Sequence, residues 1–192
     1  MVYLVKYRGT FGFIKPWSAV RDSDILSQQF LTPSIVTGIE RKLFPELLIN
    51  DKGEIENIVG HRLNYKAVTT SQEQVQTRGW NKAKVKGTKN IEFYRSNSIL
   101  KRGVLIEPTL WLAFREQELA QRASVQHICL CRNEDILYPE GDIIAVSSEE
   151  FNSNEEFFAG YELVFERNEE SFIVGYNRFN KGEPMYGYIR IV

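Results

Sequence analysis

The residues best suited to chemistry in this sequence are cations and aromatic rings that concentrate between positions 61 and 105. This stretch contains ten Lys or Arg residues and two acids, a local net charge of +8. The cations are Arg62, Lys66, Arg78, Lys82, Lys84, Lys86, Lys89, Arg95, Lys101 and Arg102. Trp80, Phe93 and Tyr94 lie among them. Cations bind the phosphates of a nucleic acid and flat rings stack on its unstacked bases, so this mixture is typical of a nucleic-acid contact. A solvated basic loop is the alternative.

The same stretch is poor in side chains that could form a core. Residues 69–76 and 81–90 contain almost no large apolar side chain. Such segments cannot bury enough surface to offset the entropy that is lost on ordering. We therefore predict that residues 72–102 form a projecting tongue, an irregular hairpin inserted into a single domain that spans residues 1–192.

A catalytic site is hard to assemble from these residues. The sequence has no nucleophile elbow, no glycine-rich phosphate loop and no dinucleotide fingerprint. His61, Tyr65 and Lys66 could together cleave RNA without a metal, with a base removing the 2′-hydroxyl proton and a cation stabilising the phosphorane. On a strand, however, His61 and Tyr65 share a face and Lys66 points the other way. We therefore expect a histidine that packs on the sheet or lies at the surface, and no enzymatic activity.

Metal binding has little support either. The chain has only two cysteines, Cys129 and Cys131, and two histidines, His61 and His127, so no second cysteine pair can complete a metal site. Two residues apart on a strand, the cysteines would face the same side and could not readily bridge each other. We expect reduced core thiols, a hydrogen-bonded His127 in a buried strand, and neither metal nor cofactor.

Charge is divided unevenly along the chain. The total net charge is −1, yet residues 133–170 contain twelve acids and one cation, Arg167, which makes a net charge of −11. Like charges repel, so this acid-rich region is predicted to face solvent or a basic patch of a neighbouring protein rather than RNA. No apolar run approaches the length of a membrane span, and the N-terminus begins with a strand-like run instead of a signal peptide. We expect a cytoplasmic protein without membrane contact.

Hydrophobic periodicity predicts an α+β fold. A strand at residues 2–7 precedes a helix that begins at Thr32-Pro33, where the threonine hydroxyl can cap free amides, and ends near Phe44. Further elements follow the same patterns. They are strands at 55–68, 104–114, 125–131, 143–146, 161–166, 172–176 and 185–192 and a short helix at 115–123. This order suggests a ferredoxin-like core and a β-rich C-terminal part, residues 133–192.

Three short motifs occur in order along the chain. Gly-Thr-Phe-Gly-Phe-Ile-Lys-Pro-Trp follows the first strand at Gly9–Trp17, and Phe-Leu-Thr-Pro-Ser-Ile-Val-Thr-Gly-Ile-Glu enters the predicted helix at Phe30–Glu40. The third motif, Cys-Leu-Cys-Arg-Asn-Glu-Asp-Ile-Leu, occupies Cys129–Leu137. Together they resemble the Cas-five family of CRISPR-associated proteins, members of the repeat-associated RNA-binding (RAMP) superfamily with its ferredoxin-like, RRM-like fold. Cys131 stands where the family usually has a glycine.

The resemblance implies a non-catalytic subunit of a type I CRISPR surveillance complex (Cascade), which holds the 5′ handle of the guide RNA (crRNA). The tongue would be the family's thumb hairpin, in contact with the first backbone subunit. The large subunit and the target DNA would lie nearby. The implied RNA-binding residues are Lys15, Trp17, Arg21, Arg41, Lys42, Arg78, Trp80, Lys82, Lys84, Lys86, Lys89 and Arg95. Arg132 would instead be structural and pair with Asp135.

Two alternatives remain open. Some family members cut the guide precursor with a tyrosine, a lysine and a histidine, so a metal-independent endoribonuclease based on His61, Tyr65 and Lys66 is the first alternative. The second is a protein-interaction module whose basic tongue binds an acidic partner.

Overall fold

A computed structural model describes the whole chain except residues 17–23, 50–52 and 178–179. Trp17 and Arg21, two of the predicted RNA-binding residues, lie outside the described residues. The strands are β1 Val2–Arg8, β2 Phe11–Gly12, β3 Asp24–Leu26, β4 Ile58–Asn64, β5 Ala67–Gln76, β6 Asn81–Lys84, β7 Ile91–Tyr94, β8 Asn97–Ile106, β9 Thr109–Phe114, β10 Ile128–Cys129, β11 Ile136–Pro139, β12 Ile144–Val146, β13 Tyr161–Val164, β14 Phe172–Asn177 and β15 Glu183–Ile191. The helices are α1 Pro33–Leu43, α2 Gln117–Ala123, α3 Ser148–Ser153 and α4 Glu155–Phe158, with a 3-10 turn at Pro45–Leu48. Among the described residues, no helix has the length and apolar character needed to cross a bilayer.

A large antiparallel sheet forms the centre of the fold. Its strands lie in the order β10-β11-β1-β9-β4-β13-β15-β14, and β12 also pairs with β1. β9 occupies the middle because its side chains are buried and apolar on both faces, with Leu112 and Phe114 on one side and Trp111 and Ala113 on the other. The mixed, strand-rich architecture is compatible with the predicted α+β class.

Hydrophobic clusters cover both faces of this sheet. On one face, side chains of β1, β4 and β9 pack with α1 and α2. On the other face, Leu4 and Trp111 pack with Phe151 of α3 and Phe158 of α4. Successive strand residues point to opposite faces, which explains how one strand serves both clusters. The acid-rich region was not predicted to form helices, but its apolar phenylalanines anchor two short ones on the sheet.

Two strands, β8 and β9, replace the single strand predicted at residues 104–114. The break falls at Glu107, whose φ is +49°, and at Pro108, which has no N–H to continue a ladder. β8 belongs to a smaller sheet with β2, β3 and β5, whereas β9 enters the large sheet. The predicted central strand is therefore correct only from Thr109 onward, because the apolar pattern continues across a backbone break that it does not reveal.

The buried strand predicted at residues 125–131 is reduced to the two residues of β10. Val125 is 82% exposed and His127 is also exposed. One cysteine is exposed and the other only partly buried. The predictions of core thiols and of a buried His127 are therefore wrong. A hydrogen bond from the Leu130 N–H to the Asp135 carbonyl closes a turn into β11 and ends the strand on that side. On the other side, the Gln126 N–H donates to the Ala123 carbonyl, so this residue belongs to the turn after α2.

Helix α1 begins at Pro33 as predicted, but its predicted cap is absent. The Thr32 side chain makes no capping hydrogen bond, and its Oγ1 lies 3.0 Å from the Ser34 hydroxyl. The Thr32 carbonyl accepts hydrogen bonds from the N–H groups of Ile35 and Val36 instead. Proline at the first helical position has no N–H to satisfy, so the helix start needs one hydrogen bond fewer.

Candidate nucleic-acid interface

The predicted tongue, residues 72–102, lies within a two-part hairpin. At its root, β5 and β8 pair along their whole lengths, and β2 and β3 pair with the other edge of β8. At its tip, β6 and β7 form a separate two-stranded sheet. Every residue of β6 and β7 is exposed. The tip therefore buries none of the side chains of β6 and β7, as the low apolar content of this segment indicates.

One face of the tip gathers cations and aromatic rings. Lys82 lies directly opposite Phe93, and Lys84, two residues later on the same face, lies opposite the exposed Ile91. Beyond this pair, the Arg95 guanidinium lies 4.6 Å from the centroid of the Trp80 ring, a cation–π contact. We call Trp80, Lys82, Lys84, Phe93 and Arg95 the tip face. It combines three positive charges with two rings, which are 62% (Trp80) and 65% (Phe93) exposed.

The opposite face of the tip has different chemistry. Asn81 lies opposite Tyr94, and Ala83 lies opposite Glu92. This face therefore presents one ring and one carboxylate where the tip face presents cations. The strand pairing sorts two neighbouring aromatic residues, Phe93 and Tyr94, onto opposite sides.

The cations of the tongue remain accessible. Those that were predicted to bind RNA, namely Arg78, Lys82, Lys84, Lys86, Lys89 and Arg95, are all exposed. The acid of β5, Glu73, is engaged at the root, where Arg102 and Arg132 donate hydrogen bonds to its carboxylate. The positive charge of the tip is consequently not neutralised by that carboxylate.

A cluster of charged residues fastens the root of the tongue to the turn before β11. The Arg102 Nε lies 2.8 Å from the Glu73 carboxylate, and Arg132 pairs with the same carboxylate. Arg132 also pairs with the Asp135 carboxylate, at 2.6 Å. The Phe13 ring contacts both guanidiniums, at 5.1 and 5.5 Å from its centroid. Hydrogen bonds to Asp135 raise the pKa of Arg132 above its ordinary value. The predicted Arg132–Asp135 pair is confirmed.

The remaining predicted cations lie on other elements. Lys15 is exposed in the segment after β2. Near the end of α1, the Arg41 guanidinium donates to the Thr37 carbonyl at 3.3 Å, and the Lys42 ammonium donates to the His127 carbonyl. Arg41 therefore bonds within α1, whereas Lys42 joins α1 to the segment before β10.

The three residues that could form a ribonuclease site have separate surroundings. His61 is only 3% exposed, and burial lowers its pKa to about 4. The Tyr65 hydroxyl donates to the Gln29 side chain at 2.6 Å, and Lys66 pairs with Glu107 at 3.3 Å. Among the described residues, no group of three or more His, Cys, Asp or Glu side chains is placed to hold a metal.

The structure contains a buried ionic network that was not predicted from the sequence. Arg62, one of the ten cations between positions 61 and 105, is completely buried and pairs with Glu162 of the acid-rich region. The Glu162 carboxylate also accepts from Arg190 at 3.2 Å and from the His61 N–H at 3.0 Å. The Arg62 guanidinium lies 4.5 Å from the centroid of the Phe151 ring. The partners are about a hundred positions apart, so no local sequence signal could have paired them.

Comparison with known proteins supports the fold. No protein-family model and no curated protein matches this sequence. A solved structure described as a "CRISPR RNA-guided surveillance complex" contains a chain that is similar with a TM-score of 0.55. The match covers 100% of this chain and 89% of that chain at 12% sequence identity. At this identity the likeness establishes a shared fold.

Proposed function

We propose that this chain is a subunit of a CRISPR surveillance complex, a Cascade-type assembly, and that it holds the 5′ handle of the guide RNA in the manner of the Cas-five family. The tip face carries the proposal, because exposed cations for phosphates and exposed rings for bases share one side of a projecting hairpin. The fold shared with a chain of an RNA-guided complex supports it.

The order of elements supports the same assignment. β1, α1, β4, β9, α2 and β11 follow each other along the chain, and their strands lie side by side as β11-β1-β9-β4. In this proposal these elements are the ferredoxin-like core, and the two-part hairpin inserted between β4 and β9 is the thumb that contacts the first backbone subunit.

Charge reversal on the tip face tests the RNA contact. The variant K82E/K84E should bind a single-stranded RNA of the guide handle about tenfold more weakly or worse, since two phosphate contacts become repulsive. The control R115E/K181E reverses two exposed cations outside the tongue and should bind as the wild type does. Fluorescence anisotropy at one fixed salt concentration measures both. Equal affinities of the two variants would contradict the proposal.

We also propose that the chain does not cut RNA. The buried His61 and the separate partners of Tyr65 and Lys66 support this part. Incubation of the protein with a labelled repeat RNA in the presence of EDTA should leave the RNA intact. Specific cleavage that is abolished by His61→Ala would favour the endoribonuclease alternative instead.

A further inference from the structure

A cavity opens on the face of the large sheet that carries α3 and α4. Its volume is about 670 Å³. Lys6 and Trp111, which are cross-strand partners on β1 and β9, form part of its floor. The walls come from α4 and from the loop between β11 and β12. One end is fastened by a hydrogen bond of 3.1 Å from the Asn64 amide to the Ala159 carbonyl. The cavity is therefore built by several elements of the core that are separate in sequence.

Negative charge dominates the lining of this cavity. It contains three carboxylates, Glu140, Asp142 and Glu156, and one cation, Lys6. The Lys6 ammonium already has partners within the cavity, because it lies 2.6 Å from the Glu140 carboxylate and 5.8 Å from the centroid of the Trp111 ring. In the part of the chain that the structure describes, no cation pairs with Asp142 or Glu156, and both are exposed. Two carboxylates are left to receive a further positive charge.

The rim adds an aromatic surface. Phe158 is 3% exposed and packs against Trp111, with 5.3 Å between ring centroids. Its neighbour Phe157 also lines the cavity but is 66% exposed. Phe158 therefore anchors α4, and Phe157 presents an uncovered ring beside the carboxylates. Exposed rings next to a cavity are characteristic of protein-docking sites.

We infer that this cavity is a docking site for a protein segment that presents an arginine or lysine next to an apolar residue. Asp142 and Glu156 would pair with the cation, and Phe157 would cover the aliphatic stem and the apolar neighbour. Lys6 shows the same chemistry within the cavity, since its ammonium lies close to both a carboxylate and a ring. The like charge of the lining disfavours RNA at this site, so the inference goes beyond the tongue contact and does not depend on it.

Two short peptides test the inference. The first, acetyl-Gly-Leu-Arg-Leu-Gly-amide, carries the cation, and the second replaces arginine by citrulline, which has nearly the same shape without the charge. Titration into the isotope-labelled full chain, followed by amide chemical shifts, should show that the arginine peptide perturbs the signals of Trp111 and of α4. The citrulline peptide should bind at least about fivefold more weakly, because it loses two charge pairs at exposed sites.

Variants separate this site from other acidic surfaces. D142N/E156Q and Phe157→Ala should each weaken binding of the arginine peptide, by about fivefold for the double variant. The control E149Q/E155Q removes two exposed charges of α3 and α4 that lie outside the cavity and should leave the affinity unchanged. K82E/K84E should also bind the peptide normally, whatever its RNA affinity. The inference would be overturned if the two peptides bound equally, or if D142N/E156Q and its control lost affinity equally. It would also be overturned by chemical shifts confined to other regions or by no binding at millimolar peptide. Displacement of the peptide by single-stranded RNA would overturn it as well.

Discussion

His61 is a buried histidine whose surroundings keep its ring neutral. Its Nε2 is buried without a hydrogen-bond partner among the described residues, and its Nδ1 lies 3.9 Å from the Glu162 carboxylate. Burial lowers its pKa from 6.5 to about 4, because the surroundings solvate the charged ring poorly. The folded protein therefore holds a neutral, buried ring at neutral pH.

The depressed pKa of His61 predicts acid sensitivity. In the unfolded chain the ring is protonated below about pH 6.5, whereas in the folded chain it resists protonation until about pH 4. The contribution of the neutral ring to stability is thus complete above pH 6.5 and is lost as the pH falls toward 4. Between pH 7.5 and pH 5, urea unfolding should show that the wild type loses about 2 kcal/mol more than His61→Gln.

The second histidine provides the control for that measurement. His127 is exposed, so His127→Gln should retain the pH dependence of the wild type. If His61→Gln and the wild type lost equal free energy of unfolding between pH 7.5 and pH 5, burial of a neutral His61 would not be the cause of the acid sensitivity.

At the scale of elements, the β6–β7 pairing makes a prediction that charge alone cannot make. Phe93 and Tyr94 are adjacent, exposed aromatic residues that face opposite sides of the tip. Stacking of one base is worth about 1–3 kcal/mol, so Phe93→Ala should weaken binding of the handle RNA by about fivefold or more. Tyr94→Ala should change the affinity by less than about twofold, because its loss leaves the tip face intact. Fluorescence anisotropy compares the two variants directly.

The outcome also shows whether the Phe93 ring contributes to RNA binding in addition to charge. An RNA held by charge alone would tolerate loss of the Phe93 ring. If both alanine variants bound RNA as the wild type does, base stacking on the tip face would be contradicted.

We predict that Glu73 keeps the strands at the root of the tongue ordered. Its carboxylate joins β5 to Arg102 of β8 and to Arg132 in the turn before β11. Glu73→Ala should increase amide hydrogen exchange in β5 and β8 by about fivefold, which corresponds to loss of about 1 kcal/mol from a partly exposed ion-pair cluster. Glu92→Ala removes an exposed acid at the tip and is the control. Faster exchange throughout the large sheet as well would indicate global destabilisation instead.

At the scale of the whole molecule, a net charge of −1 conceals a separation of opposite charges. The tongue presents cations to solvent, while the acid-rich region lines a cavity on the large sheet. A nearly neutral chain can therefore attract phosphates at one place and cationic side chains at another, because the interactions of exposed charges are screened within about 8–10 Å at physiological salt.

This separation predicts the salt dependence of RNA binding. Each phosphate contact on a single strand contributes about 0.7 to the slope of log affinity against log salt concentration. Lys82→Ala with Lys84→Ala should lower the magnitude of that slope by about 1.4. Arg115→Ala with Lys181→Ala should leave it unchanged. A slope that is equally steep in both double variants would mean that the phosphates are bound elsewhere.

Much of the element pattern could be predicted because it is local. The strand at β1, the helix from Pro33 and the short helix at α2 follow from apolar spacing and from proline, which act over a few residues. The break at Glu107 and the turn after Leu130 could not be predicted, since backbone geometry and hydrogen bonds interrupt apolar runs that look continuous. The short helices α3 and α4 were missed because Phe151 and Phe158 need the Trp111 side of the sheet to pack on.

The sequence by itself determined where charge and rings concentrate and that residues 72–102 could not form a core, because composition and short-range pattern decide both. Only the tertiary structure decided which of these groups remain available. In the folded chain, Arg62 is buried against Glu162, and Phe93 lies on the same face of the tip as Lys82 and Lys84, whereas Tyr94 lies on the opposite face. Burial and strand register depend on contacts between residues far apart in the chain, and no local pattern encodes them.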